Sequence, residues 1–442
     1  MYTQILQRAP EHDVQPSLER VREVCALMGD PQRSFPVVHL TGTNGKTSTA
    51  RMVERLLRER GLRTGRFTSP HLNSVRERIA LDGEPIAPQD FVAVWEEVAP
   101  YVELVDERSQ AVGGSRLSFF EVFTVMAFAA FADAPVDVAV VEVGMGGRWD
   151  ATNVADGVVE IITPVSRDHE RWLGQELTDI AEEKVGIITD RSTVVVGEQP
   201  EEVAELITSA AAQRRARLVS AGQDVVVADR ELAVGGQLLT MRTTAATYTD
   251  VFLPLHGVHQ ANNALLALAA VEAFFGGGAL PGDVVEQGFA AVDSPGRLEV
   301  VRRSPTVLVD GAHNPAGAEA LVAAVEEAFG FSHLVGVVGV MADKNAEAIL
   351  SALEPLLAEV VVTRPSSDRA MDAEELGEIA VDVFGEDRVH VAVRLDEAIE
   401  RAAALTEADP EDPMASTGVL VAGSVILAAE ARQLVGRGGA AL

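Results

Sequence analysis

The chain has one cysteine, Cys25, in 442 residues. That excludes an intrachain disulfide and a cage of cysteine ligands around a metal, and it fits a reducing compartment. Positive charge is scarce: 36 Lys and Arg stand against 67 Asp and Glu, a net charge of −31. Such a field repels nucleic acid and anionic membrane, so neither is an expected partner. No apolar run approaches the ~18 residues a membrane-spanning helix needs. The start, MYTQILQRAPEHD, lacks the basic and apolar regions of a signal peptide. A cytoplasmic protein is expected. The sequence shows no repeat at a solenoid period, no low-complexity tract and no Asn-Lys-x-Asp guanine signature. The rest is ordinary for a globular protein, 47% hydrophobic and 23% charged, and long enough for two or three domains.

Apolar, β-branched runs alternate with amphipathic helical stretches, the pattern of an α/β protein with mostly parallel sheets. Strands are expected at Val37–Leu40, Val136–Val143, Val158–Thr163 and Thr193–Val196. A second set is expected at Thr306–Val309, Leu334–Val340, Glu359–Thr363, His390–Val393 and Gly418–Val421. Pro295-Gly296 punctuates the chain between the sets, which places a domain boundary near Ser294 and divides the chain into 1–294 and 295–442. Short alternating segments from Arg217 to Leu253 suggest a small β excursion attached to the first domain. Gly276-Gly277-Gly278 reads as a helix end.

Residues 37–50, VVHLTGTNGKTSTA, carry the most information. A buried strand runs into Thr41-Gly42-Thr43-Asn44-Gly45-Lys46-Thr47-Ser48, and a charged helix is expected from about Thr47 to Arg60. These are the parts of a phosphate cradle. Glycines let backbone N–H groups converge on an anion, the helix N-terminus adds partial positive charge, and Lys46 adds a full one. A hydroxyl at Thr47 or Ser48 can hold Mg²⁺ on the phosphates. A standard Walker A loop would place its first glycine where Leu40 stands, so this is a shorter variant.

Other polar residues fall just past strand ends, where ligands gather in open α/β sheets. Glu142 ends Val136–Val143 and suits a Mg²⁺ ligand, or is a solvated strand-end charge. His169 follows Val158–Thr163, and read alone it is equally a structural or surface residue. Ser69 offers a hydroxyl in the turn of Thr68-Ser69-Pro70-His71, or caps that turn. Leu177–Gly186 reads as a short helix with Asp179 as N-cap and Glu182 completing a capping box. Lys184 near its end either complements the helix dipole or is a catalytic or modified lysine. In the second half, Asp310 ends a strand and is placed to accept from a ribose, and Arg297 is suited to phosphate. Asn262 and Asn263 each carry an amide suited to adenine.

Taken together, these motifs resemble the folylpolyglutamate synthase/dihydrofolate synthase family of the Mur ligase superfamily. The resemblance runs from about Val37 to Ser424, through GTNGKTS (42–48), TSPHL (68–72), VEVGMGGRWDATN (141–153), DH (168–169), EKVGI (183–187), HQANNA (259–264), PGRLE (295–299) and DGAHNP (310–315). It implies a P-loop ATP-binding domain with a mostly parallel sheet. A smaller Rossmann-like C-terminal α/β domain would follow, with the active site in the cleft between them. By the same resemblance Asn44, Gly45, Lys46, Thr47 and Ser48 match the loop that holds the ATP phosphates. Ser69, Glu142 and His169 match Mg²⁺ ligands. Lys184 matches a lysine that CO₂ carbamylates, whose carbamate helps to hold a second Mg²⁺. Asn262, Arg297 and Asp310 match nucleotide contacts, and His313 a catalytic residue of the C-terminal domain. Ser118, Phe120, Asp150 and Ala151 match a pterin site.

The implied chemistry is amide formation in a monomer. ATP phosphorylates a substrate carboxylate, and the amine of L-glutamate displaces phosphate from the acyl phosphate. The acceptor would be a reduced folate, dihydropteroate, or both. Two departures stand out: Thr47 occupies a position that is glycine in many relatives, and Arg167 precedes Asp168 where an apolar residue is common. A cell-wall Mur ligase acting on a UDP-linked peptide is the alternative reading. A regulatory nucleotide-binding module is the non-enzyme one, disfavoured by the missing guanine signature. A motor or nucleic-acid ATPase is disfavoured by the charge.

Overall fold

The computed structural model describes residues 16–406 and 416–436, together with Ile5, Arg8 and Ala9. They form two compact units. The first runs to His71 and continues as Val75–Pro254 and Gln260–Val292; the second holds Leu72–Ser74, Leu255–His259 and the chain from Asp293 on.

Among the described residues the first unit has an eight-stranded sheet. Its strands are β1 (Val37–Thr41), β2 (Thr64–Phe67), β3 (Ile79–Leu81), β4 (Glu84–Pro85), β5 (Val138–Glu142), β6 (Gly157–Ile162), β7 (Thr193–Val196) and β8 (Arg217–Ser220). The order is β4-β3-β2-β5-β1-β6-β7-β8, and every pair is parallel except β2 with β3 and β3 with β4. β1 is therefore central, paired with β5 on one side and β6 on the other. All five of its residues are buried, so it lacks the alternation of a half-buried strand, and His39 is buried with its apolar neighbours. One face of the sheet packs on the Phe119–Asp133 helix, whose residues Phe119 to Phe131 are all buried. Ile162, Val194 and Val196 form a second core with Ile180 and Ile207.

A separate antiparallel sheet comprises β9 (Val226–Ala233), β10 (Gly236–Arg242) and β11 (Thr247–Leu253). The β excursion is thus real but shorter than expected, because Arg217–Ser220 instead extends the large sheet beside β7. The Val258–Phe274 helix stops before Gly276 and Gly277, both at positive φ.

The second unit has six strands among its described residues. These are β12 (Glu299–Arg303), β13 (Thr306–Val309), β14 (His333–Val338), β15 (Glu359–Val362), β16 (Val389–Val391) and β17 (Thr417–Ala422), in the order β12-β13-β17-β14-β15-β16. All pairs are parallel except β12 with β13. Helices cover both faces: Leu321, Ile349 and Leu376 lie in one apolar layer, Ala398, Ala402 and Leu427 in the other. No helix among the described residues is long and apolar enough to cross a membrane.

Candidate active site

Strand β1 ends at Thr41, and the chain turns through Gly42–Gly45 into the Lys46–Glu59 helix. The two glycines are required for different contacts. Gly42 has φ +141°, and a Cβ there would lie 1.9 Å from Thr163 Oγ1. Gly45 has φ +90°, and a Cβ there would lie 2.5 Å from Asn263 Oδ1. Both φ values favour glycine. Asn263, not Asn262, thus lies against the loop, with its amide donating to Gln260 Oε1 at 3.1 Å. Asn262 is half-buried on the same helix.

Two lysines meet at this loop. Lys46 Nζ donates to the carbonyls of Gly42 (3.0 Å) and Thr43 (3.1 Å). Lys184 Nζ, buried at the end of the Leu177–Lys184 helix, donates to the same Gly42 carbonyl at 2.8 Å. Burial, with the Lys46 charge adding to it, pulls the Lys184 pKa down to about 7 against the opposing pull of Asp168 and Asp150. The helix begins at Leu177 with Glu176 in the cap position and no side-chain cap bond, so Asp179 lies in the first turn rather than capping it. Asp179 instead packs against Gly174. Gly186 falls in a short 3₁₀ turn after Lys184 and abuts Arg148.

Glu142 ends β5 and is 1% exposed. Thr47 Oγ1 donates to it, 2.9 Å from each carboxylate oxygen, and the Ser69 backbone N–H donates to Oε2 at 3.3 Å. Ser48 is buried and turns the other way, accepting from Gln260 Nε2 at 3.5 Å. Of the two adjacent hydroxyls, Thr47 is the one at the carboxylate. His169 has φ +54° and begins the Glu170–Leu173 turn; its backbone N–H donates to Asp168 Oδ1 at 2.8 Å, and its Nε2 lies 3.9 Å from Oδ2. Arg167 points outward, 3.7 Å from Glu176 in an exposed ion pair, which accounts for a charge at this position. Among the described residues no three His, Cys, Asp or Glu side chains converge as a metal-holding group.

Ser118 caps the Phe119–Asp133 helix in a capping box with Glu121. Phe120 packs on Phe67, ring centroids 5.6 Å apart, and on Gly144, where a Cβ would lie 2.5 Å from the ring. Asp150 is buried and braces the loop after β5. Its Oδ2 accepts from Met145 N (3.0 Å), and its Oδ1 from Thr152 N (2.9 Å) and Thr152 Oγ1 (2.5 Å). Burial raises its pKa, and these hydrogen bonds oppose the rise. Ala151, also buried, opens the 3₁₀ turn that Asp150 caps.

In the second unit Asp310 directly follows β13 and holds two backbone groups, Leu298 N on Oδ2 and Ala312 N on Oδ1, both at 2.7 Å. The Arg297 guanidinium lies over Gly311, where a Cβ would meet Nη1 at 2.1 Å. His259 joins this pair: burial lowers its pKa, with Arg297 and Asp310 as its charged neighbours. It was not singled out in the sequence, although it opens the HQANNA motif. His313 Nδ1 lies 2.8 Å from the Gly311 carbonyl, which can only accept, so Nδ1 carries the proton.

The Mur ligase middle domain matches residues 91–271, and the Mur ligase glutamate ligase domain matches 296–425. A Mycobacterium tuberculosis dihydrofolate synthase/folylpolyglutamate synthase is 51% identical over 449 residues, covering 98% of this chain and 92% of that protein. The chain belongs to the folylpolyglutamate synthase/dihydrofolate synthase family of the Mur ligase superfamily. A structure of Mycobacterium tuberculosis folylpolyglutamate synthase complexed with ADP and AMPPCP superposes with a TM-score of 0.94 at 50% identity, over 99% of this chain and 97% of that one. E. coli FolC in complex with DHPP and ADP gives 0.83 at 28% identity, over 98% and 96%. Family members are ATP-dependent amide-forming ligases, and the α/β fold with mostly parallel sheets is the fold the sequence pattern implied.

Proposed function

We propose that this chain ligates L-glutamate to a reduced folate using ATP, with dihydropteroate as the second acceptor to test. The observation that carries this reading is the convergence at the C-terminal end of β1. Lys46 and Lys184 sit on Gly42 there, and Thr47 sits on Glu142. The loop backbone from Asn44 to Ser48 would bind the ATP phosphates, helped by the helix N-terminus. Lys46 would leave the loop carbonyls to neutralise charge on the transferred phosphoryl group. The acceptor carboxylate takes the γ-phosphoryl group, and the glutamate amine then attacks the acyl phosphate and expels phosphate. Asn262, Arg297 and Asp310 are assigned to the nucleotide. His313, its Nδ1–H held by the Gly311 carbonyl, is assigned to catalysis from the second unit. Phe120, Asp150 and Ala151, with Ser118 at the helix cap, are assigned to the pterin side.

Hydroxyl and carboxylate oxygens suit a hard cation, so Ser69 and Glu142, with Thr47 beside Glu142, fit Mg²⁺, and His169 is assigned to the same ion by the family resemblance. When bound it would supply charge neutralisation at the phosphates. Lys184 is the residue for CO₂: a near-neutral buried amine can attack carbon and lose a proton, leaving a carbamate. That anion would replace the repulsion between Lys184 and Lys46 with attraction and help to hold a second Mg²⁺. We assign the chain to the cytoplasm, acting as a monomer.

The test is glutamate-dependent ADP release, with tetrahydrofolate and dihydropteroate offered in separate reactions and a UDP-linked peptide as control. Lys46→Ala should fold and release no ADP. Full activity in that variant, or turnover with the UDP-linked peptide alone, would overturn the reading.

A further inference from the structure

A histidine lies in the middle of β1, the strand that delivers the phosphate loop. His39 is completely buried, and its strand neighbours Val38 and Leu40 are apolar. Its Nε2 lies 2.9 Å from Thr152 Oγ1. That hydroxyl is 2.5 Å from Asp150 Oδ1. A carboxylate oxygen accepts, so the hydroxyl donates to Asp150 and must accept from His39 Nε2–H. The chain of donors runs one way: His39 to Thr152 to Asp150. Asp150 then accepts from Met145 N through its other oxygen. One hydrogen bond thereby ties the centre of the sheet to Thr152, across more than a hundred residues of sequence, and two more within the Gly144–Thr152 segment carry the tie to Asp150 and Met145.

This arrangement costs the fold something. His39 Nδ1 is buried and has no hydrogen-bond partner. A leucine in the same place would bury no polar atom, so packing alone does not call for histidine. Burial also lowers the His39 pKa to about 4, which keeps the ring neutral and its single N–H directed at Thr152. What the ring gains is control over Asp150, and with it over the loop whose Gly144 rests on Phe120.

We propose that His39 is a positioning residue: through Thr152 it fixes Asp150 and the Gly144–Thr152 segment in the conformation that receives the pterin end of the substrate. The inference rests on the folate-ligase reading above. His39 touches neither substrate nor nucleotide; it acts through the relay.

The experiment compares His39→Leu, which removes the donor, with His39→Gln, which keeps an N–H near the same place. Thr152→Val and Thr152→Ser repeat the comparison at the second link. Each protein is measured as the full chain for Tm and for KM and kcat with ATP, glutamate and the pterin substrate. For His39→Leu and Thr152→Val, KM for the pterin substrate should rise roughly tenfold, as expected when a binding group is displaced by a fraction of an ångström. KM for ATP should change less than KM for the pterin substrate, since His39 and Thr152 hydrogen-bond to each other and to Asp150 rather than to the phosphate loop. His39→Gln and Thr152→Ser should recover most of the loss, and the His39→Leu/Thr152→Val double variant should be no worse than either single one.

Equal changes in all three KM values, additive losses, or a lowered Tm with unchanged KM would overturn the proposal. If the Leu and Val variants fail to fold, the Gln and Ser variants decide it: full loss of pterin affinity in both would refute the relay. If the wild-type protein shows no pterin-dependent turnover, the function reading fails and this proposal falls with it. If it turns over but the KM split is absent, only the relay is refuted.

Discussion

Thr47 donates its hydroxyl to Glu142, equidistant at 2.9 Å from both carboxylate oxygens, while its neighbour Ser48 faces Gln260. Successive helical residues point about 100° apart, so only one of two adjacent hydroxyls can face a given partner. Thr47→Val should therefore lower kcat by about 100-fold and raise the Mg²⁺ concentration needed for half-maximal rate. Ser48→Ala should lose less than about fivefold, because its hydroxyl faces Gln260 rather than the Glu142 carboxylate. A Mg²⁺ titration of ADP release checks both, and a larger loss at Ser48 would reverse the assignment.

Lys184 offers a second test. If its amine carries CO₂, Lys184→Ala should lose most activity, and a short carboxylic acid such as propionate should restore part of it. Carbon-13 NMR of the wild-type protein in labelled bicarbonate should show a carbamate resonance that is missing in Lys184→Ala. A wild-type protein without that resonance, together with an inactive variant that propionate does not rescue, would point to the amine itself.

At Gly45, alanine meets two obstacles, a positive φ and Asn263 Oδ1. Gly45→Ala should cost about 1–3 kcal/mol of stability. It should also weaken binding of a non-hydrolysable ATP analogue in calorimetry. Adding Asn263→Ala removes the steric part and should recover some stability, while the φ strain stays. Full recovery would mean that the backbone conformation matters little.

Glu160, buried on β6 and register-paired with His39, has a pKa raised by burial from 4.5 to about 7, against hydrogen bonds from Ser192 and Thr189. The folded state therefore binds a proton that the unfolded state releases between those values. Stability from this group falls as pH rises from about 4.5 to 7 and is flat above. Glu160→Gln should remove that slope and gain stability at pH 8, at most on the order of 3 kcal/mol. Urea midpoints from pH 5.5 to 8 decide it: parallel curves for the two proteins would contradict the shift.

The exposed pair of Arg167 with Glu176 predicts the opposite kind of result. Arg167→Ala should change stability by less than about 0.5 kcal/mol and leave steady-state rates near wild type. A strong fall in kcat would give this charge a role that its outward orientation does not.

The central strands were legible because a fully buried parallel strand leaves an unbroken apolar run, as in Val138 to Val141. β2 was harder to see. It holds Gly65 and Arg66, and Arg66 is tolerated in the interior only because Glu54 pairs with it at 2.6 Å, a contact no local pattern reveals. β8 looked like part of the small β excursion because its pairing with β7 is decided by distant residues. The phosphate loop, Glu142 and Lys184 were visible as motifs. The choice between Thr47 and Ser48 was not, since neighbouring hydroxyls differ only in the direction the helix gives them. His39 carried no signal at all: its partner Thr152 lies far away in sequence.

The Gly42 carbonyl accepts from two lysine nitrogens, of which one would be wanted elsewhere. When Lys46 swings toward a phosphate, Lys184 keeps the buried Gly42 oxygen satisfied, and only the half-buried Thr43 carbonyl loses its donor. The loop can release its cation without rearranging its backbone. Ligand capture then costs one side-chain rotation instead of a loop refolding, which favours rapid exchange of nucleotide over a slow conformational gate.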